Sequence, residues 1–431
     1  LTETPLSSVA SFPSSSAENR ESSIREDRTT VLYLCTTFPQ LSETFVEREI
    51  QYLATKCDLQ IISLWRGGTS PGLEVRPIPV AHLFRLLYLL PLWLLRKPSA
   101  LIRLLQSFFI RFPRAFLNLQ ETLLGMGMGV LLAEEIRKNP PAWIHGIWAT
   151  APATTAWTIH LLTGAPFSFG AHAYDLFQAK GDCLLAEKIQ AASWVRTTTQ
   201  AGLSELVKRG ASPDRAHLIH RGLAELPERS YPRPPEGTLR LLTVGRLVPK
   251  KGFTDFVRLC RILRDRGIDF TATLIGEGPQ RNELESLIHS SGLSADQMLL
   301  TGSLPAESVY SQFKNADLFL FTGVVSQDGD RDGLPNVVPE AMAHGIPVLA
   351  REAPGVLEAI SDGETGTVLS GFDLNRWAGQ ILELWADLGK REKFSENGRK
   401  WVEENFLSET NTALLKDRIL ASANNVGKEK D

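Results

Sequence analysis

Two carboxylates, Asp332 and Glu340, stand eight residues apart in the stretch Arg331-Asp-Gly-Leu-Pro-Asn-Val-Val-Pro-Glu-Ala-Met-Ala-His-Gly-Ile-Pro-Val-Leu349. A Gly, a Pro and the start of a helix separate them, so Asp332 falls in a loop and Glu340 about one turn into the helix. Free N–H groups at a helix N-terminus attract phosphate. Carboxylates beside an anion site make sense when they hold something other than the anion, and a carboxylate can accept from two sugar hydroxyls at once. The pattern predicts a nucleotide-sugar site. Gly333, Leu334, Asn336 and Val337, lying between the two acids, are candidate contacts to that ligand.

A second group supplies the opposite charge. Gly245-Arg-Leu-Val-Pro-Lys-Lys-Gly252 follows an apolar run that reads as a strand, which places Arg246 and Lys251 at a strand's carboxyl end, where α/β sheets bind ligands. Arg can grip a diphosphate bidentately and Lys acts as a point charge. By itself the loop reads as easily as a solvated turn; the acids further along the same half favour the diphosphate reading. Gly276-Glu-Gly-Pro279 also follows a strand, and Gly276 and Gly278 would allow a close backbone approach to a ligand. Pro279 breaks the dinucleotide-binding fingerprint. Thr301-Gly302-Ser303 could frame a base in the same way. In the first half, His172 ends an apolar strand three residues before Asp175, and Ser42 and Glu43 open a helix after the first strand. A lone His there is more often a satisfied core residue, and Glu43 also suits a helix start through the dipole. Asp328-Gly-Asp-Arg-Asp-Gly333 begins like a calcium loop, but its twelfth position is Pro339 and a strand, not a helix, enters it. A mobile acidic loop over a sugar pocket is the preferred reading.

These residues need a scaffold. At 431 residues and 47.7 kDa the chain calls for two domains. Residues 1–30, rich in Ser, Pro, Glu and Arg, are expected to be disordered, with no secretory signal. Residues 31–226 alternate short apolar runs with helical stretches; 227–238 form a Pro- and Glu-rich linker; 239–406 repeat the alternation; 407–431 are expected to form a C-terminal helix and tail able to cross back to the first domain. The expected fold class is α/β, with two Rossmann-like, doubly wound parallel sheets facing across a cleft. A net charge of −3 excludes a bulk electrostatic case for nucleic acid. Cys35, Cys57, Cys183 and Cys260 lack metal or redox spacing and read as small core residues. No segment is a convincing membrane span. The nearest, Ala81–Phe116, is apolar, interrupted by Arg and Lys, and free of acids. It reads either as core helices with solvated Arg faces or as a surface that rests on anionic lipid, and periodicity does not separate the two.

The second half resembles the donor domain of retaining glycosyltransferases of family 4, whose architecture is called GT-B. Asp332 and Glu340 match that family's Glu-x7-Glu motif, and Gly245, Arg246, Leu247, Lys251 and Gly252 its Gly-Arg-Leu…Lys-Gly loop. The first half resembles the colanic-acid and exopolysaccharide subgroup through Phe38-Pro-Gln-Leu-Ser-Glu-Thr-Phe-Val46 and Pro166-Phe-Ser-Phe-Gly-Ala-His-Ala-Tyr-Asp175, so the likeness runs from about Val31 to Leu407. The resemblance implies that Glu340 holds the ribose hydroxyls and Asp332 those of the transferred sugar. Arg246 and Lys251 would neutralise the leaving diphosphate, His172 would lie beside the sugar ring, and no cofactor or metal would be required. It implies a nucleotide-sugar donor and a glycan or polyprenyl-linked acceptor, met at the cytoplasmic face of the plasma membrane. Two positions depart from the pattern: Asp332 is shorter than the usual Glu, and Ile147 replaces a second His in His145-Gly-Ile-Trp148. A nucleotide-sugar epimerase of the same architecture and a non-catalytic glycan-binding scaffold stay open as alternatives.

Overall fold

The computed structural model describes residues 29–40, 43–113, 115–177, 182–326, 331–371 and 373–428. Ser42, most of residues 1–30 and positions 328–330 of the acidic loop lie outside them. The chain builds two parallel sheets. The first has the order β3-β2-β1-β4-β5-β6-β7, from strands Thr30–Phe38, Asp58–Arg66, Val75–Pro77, Trp143–Gly146, Phe167–Gly170, Trp194–Thr197 and Ala216–Leu218 taken in chain order as β1 to β7. The second has the order β10-β9-β8-β11-β12-β13, from Leu239–Val244, Phe270–Ile275, Met298–Gly302, Leu318–Phe321, Val348–Arg351 and Thr367–Leu369 as β8 to β13. Strands such as Trp143–Gly146 and Leu318–Phe321 are buried throughout, which is why they read as unbroken apolar runs and not as alternations. The chain reverses direction across each sheet between β1 and β4 and between β8 and β11. In doubly wound sheets such switch points open a crevice at the strands' carboxyl ends.

The helices that matter for the site are α1 (Thr44–Ala54), α2 (Leu86–Arg96), α3 (Pro98–Ile110), α4 (Phe116–Lys138), α5 (Ala151–Thr163), α6 (Phe253–Asp265), α7 (Val337–Ala343) and α8 (Ser408–Lys428). α6 shows how the sequence seats them: Phe253, Phe256, Val257, Cys260 and Leu263 recur at helical spacing and all enter the core. α4 is long and apolar enough to cross a membrane, but half of that apolar window is buried. Gly125 and Gly129 let it lie directly on α5. A Cβ on either would come within 2.6 Å and 2.4 Å of the Cβ atoms of Thr154 and Thr158. The long apolar helix is therefore 116–138, not the 81–116 stretch that the sequence singled out.

Two chain segments tie the sheets together. Leu223 bridges to Leu407. α8 then lies on the first domain, where Leu415, Ile419 and Ala423 join the core around Tyr33 and Trp143, and Ser422 Oγ accepts from the Trp194 indole at 3.0 Å. The edge strand β3 was not anticipated. It is three residues long, and two of them are exposed, so it leaves no hydrophobic signature.

Candidate functional site

Between the two sheets lies a cleft of about 870 Å³. Its first-domain wall comes from the loops after β1, β4, β5, β6 and β7 and includes Gln40, Glu43, Trp148, His172, Thr199 and Arg221. The opposite wall is formed by Arg246, Lys250 and Lys251 after β8 and by 332–337 leading into α7. The strand-end rule thus holds in both halves.

On the second-domain side the charges are already paired. Lys251 Nζ donates to Asp332 Oδ2 at 2.6 Å, and Lys250 Nζ lies 3.7 Å from Oδ1 of the same carboxylate. Glu340 is half-buried in the first turn of α7 and is not among the cleft-lining side chains. Burial pushes its carboxyl up, while Arg48 of the first domain and Lys251 pull it down. Glu340 is thus set between cations from both domains. α7 itself is seven residues long, so the alignment of peptide dipoles at its N-terminus is small and the three nearby cations are the main positive feature.

Among the predicted residues, Glu43, His172, Arg246, Lys251, Asp332, Gly333, Leu334, Asn336 and Val337 meet on the cleft wall. Gly245, Gly276, Gly278 and Gly302 are not on it. The structure gives two of these glycines a different neighbour from the ligand that the sequence reading supposed. A Cβ at Gly276 would sit 1.8 Å from the carbonyl oxygen of Gly245, and one at Gly278 would sit 2.6 Å from that of Leu247. They allow the β9 loop to close on the cationic loop, and so hold Arg246 and Lys251 from behind. Gly333 approaches the first domain instead, where a Cβ would meet Thr199 Cγ2 at 3.0 Å.

The first-domain wall is built around buried ionisable groups. Burial, then the positive charges of Arg221 and Arg196, holds His172 well below its usual basicity. The imidazole is neutral, stands edge-on to Trp148 at 5.1 Å, and leaves Nδ1 without a partner among the described residues. Asp175 accepts from the backbone N–H groups of His172 and Ala149 at 3.2 and 3.3 Å. Burial, with the nearby Asp182, raises its pKa to about 7. Glu43 occupies the N-cap position of α1 but does not cap it. Its carboxyl is pushed up by burial and pulled down by Arg221 and a hydrogen bond with Trp148. Arg221 stacks 3.8 Å over the Phe45 ring, and burial lowers its pKa to about 10.

Sequence reasoning missed Lys250, Arg221, Arg48 and Glu121. Lys250 stands in the quoted loop, but nothing in a Lys-Lys pair says that both face inward. Arg221 follows a strand by three residues, a position the strand-end rule would have flagged. Arg48 and Glu121 sit on helices with no local signal.

Residues 227–401 match the sequence model described as glycosyl transferases group 1. A colanic acid biosynthesis glycosyltransferase, WcaL of Salmonella typhimurium, is 30% identical over 181 residues, 42% of this chain and 44% of the relative. The amylovoran biosynthesis glycosyltransferase AmsK of Erwinia amylovora is 36% identical over 146 residues, 34% of this chain and 36% of the relative. The chain thus spans less than half the length of these curated relatives. In three dimensions it is similar to Anabaena HepE in complex with UDP, with a TM-score of 0.65 and 15% identity over 91% of this chain and all of that one. The likeness extends through both sheets, so the architecture is GT-B. The fold is thus GT-B, residues 227–401 match the glycosyl transferases group 1 model, and over part of its length the chain is similar to glycosyltransferases of exopolysaccharide biosynthesis.

Proposed function

We propose that the protein is a retaining glycosyltransferase. It moves a hexose from a nucleoside diphosphate sugar to a glycan or lipid-linked oligosaccharide, in the building of a bacterial exopolysaccharide or cell-surface polysaccharide. The observation that carries this reading is the convergence of Arg246, Lys250 and Lys251 with Asp332 in one interdomain cleft, with Glu340 directly behind. A leaving nucleoside diphosphate gains negative charge as the glycosidic bond breaks, and fixed cations stabilise that charge most at the transition state. In this reading Arg246, Lys250 and Lys251 take the diphosphate without a metal ion, Glu340 takes the ribose hydroxyls, and Asp332 takes those of the sugar. His172, neutral and with Nδ1 unpartnered among the described residues, lies opposite to receive a sugar hydroxyl. Gln40, Glu43 and Arg221 form the acceptor side. The names of WcaL and AmsK, both glycosyltransferases of exopolysaccharide biosynthesis, support the substrate class.

The test is turnover of UDP-, GDP- and ADP-sugars in the presence of a glycan acceptor and a chelator, with the anomeric configuration of the product read by NMR. A product of unchanged configuration, formed despite the chelator, is expected. An inverted product refutes retention, and an epimerised donor formed without acceptor refutes transfer.

A further inference from the structure

The outer layer formed by α2, α3 and the first turns of α4 is built inside out. In α2 only Leu89 and Trp93 are buried. Leu87 is 78% exposed and Leu95 84%. In α3 the buried residues are Ala100, Leu101 and Leu104, while Phe109 and Ile110 are 69% and 77% exposed. Phe112, Phe116 and Leu117, next along the chain, are exposed as well. A surface helix ordinarily turns charged residues outward, and contiguous apolar patches of this extent mark an interaction surface.

The charges on this layer indicate what covers it. Residues 80–116 contain no Asp or Glu. Arg96 and Arg111 reach back to Glu134 and Glu187 at 2.7 and 3.0 Å, and Arg85 donates to the Tyr88 hydroxyl. Lys97 and Arg103 have no ion pair among the described residues. Exposed Leu and Phe side chains edged by cations, on helices that lie along the surface, match an anionic lipid interface. A second copy of this chain would set these cations against one another if the faces met across a two-fold axis. The layer also leads into the cleft: α4 presents Phe116 and Leu117 at its start and Glu121 on the cleft wall about one turn later.

We propose that α2, α3 and the start of α4 dock on an anionic bilayer, with the apolar side chains entering the headgroup boundary and Lys97 and Arg103 meeting lipid phosphates. The cleft would then open towards the membrane surface. This deepens the transferase reading by favouring an acceptor anchored in lipid, but the docking itself stands without it.

The test is co-sedimentation of the full chain with vesicles of phosphatidylcholine alone and of phosphatidylcholine with phosphatidylglycerol. Binding to the anionic vesicles, weakened by salt, is expected. Replacing Leu87, Leu95, Phe109 and Ile110 together by Ser should reduce partitioning by roughly a hundredfold or more, since each loses several buried CH2 groups. Lys97→Gln with Arg103→Gln should weaken binding about fivefold per charge. All six side chains face solvent, so an unchanged thermal unfolding curve certifies the variants. Equal binding of parent and Ser variant, or no binding by the parent, overturns the proposal. So does a stable dimer that the Ser variant dissociates in the absence of any vesicle binding. Stabilisation of the Ser variant by a nucleotide-sugar as large as that of the parent separates the two readings. If vesicle binding persists and no nucleotide-sugar shifts either protein, the transferase reading fails and the docking face stands.

Discussion

Asp332 and Lys251 meet at 2.6 Å, so in the free protein the acid assigned to the sugar shields a cation assigned to the diphosphate. On the proposed function, donor binding exchanges that contact. Asp332→Asn removes the negative charge of Asp332 from beside Lys250 and Lys251. We expect the nucleoside diphosphate product to bind about fivefold more tightly, in line with loss of one partly buried charge pair, while turnover falls. Titration calorimetry and kcat together check this; weaker product binding would show that Asp332 is not a competitor for the lysines. A second prediction concerns pH. The folded-state pKa of Asp175 is about 7, above its ordinary value of 3.8, so ionisation is penalised only in the folded protein. The penalty is absent below the ordinary value, grows as pH rises through that interval, and is complete above about 7. Asp175→Asn should therefore gain Tm relative to the parent as pH rises across that range. A Tm difference that does not change with pH would place the ionised form at no disadvantage.

At the scale of elements, the cationic loop is held by its neighbour. Gly276 has a φ of +156° and no room for a side chain against Gly245. Gly276→Ala should cost about 3 kcal/mol or more, seen as a lower denaturant midpoint, because the obstruction is backbone and cannot rotate away. A variant as stable as the parent would mean that the two loops are free to part. Much of this layer was legible in the sequence. Leu318–Phe321 is a strand with the bounds its apolar run suggests, because a strand buried on both faces leaves a continuous hydrophobic signal. What was hidden is tertiary. The glycines of α4 look like helix breakers until α5 is seen lying on them. Arg48 and Glu340 are far apart in sequence, and the charge of the one acts on the other only when the domains come together. The pairing of Asp332 with two lysines was likewise invisible, although all three residues stand in the quoted motifs.

At the scale of the molecule, the two domains are joined at both ends of the cleft. On the hinge side the Leu223 N–H donates to the Phe406 carbonyl at 2.9 Å and the Ser408 N–H to that of Leu223 at 2.8 Å. On the open side the backbone N–H of Ala201 donates to Glu358 at 3.2 Å, and Arg331 stacks 4.3 Å from the Phe177 ring. The hinge contacts depend on α8, which leaves the second domain to complete the core of the first. Leu415→Ala, at a fully buried position in that core, should cost about 2–5 kcal/mol and lower the unfolding temperature, although the residue lies far from any first-domain residue in sequence. An unchanged unfolding temperature would mean that α8 merely rests on the surface.

The central claim is that an activated sugar occupies this cleft with its diphosphate on the cationic loop and its ribose on Glu340. Calorimetric titration of UDP-, GDP- and ADP-sugars into the parent, Arg246→Ala and Glu340→Gln tests it most directly. One nucleotide class should bind the parent, and each substitution should weaken that binding by about tenfold or more without lowering thermal stability. Undiminished affinity in both variants, or no binding of any nucleotide-sugar to the parent, would contradict it.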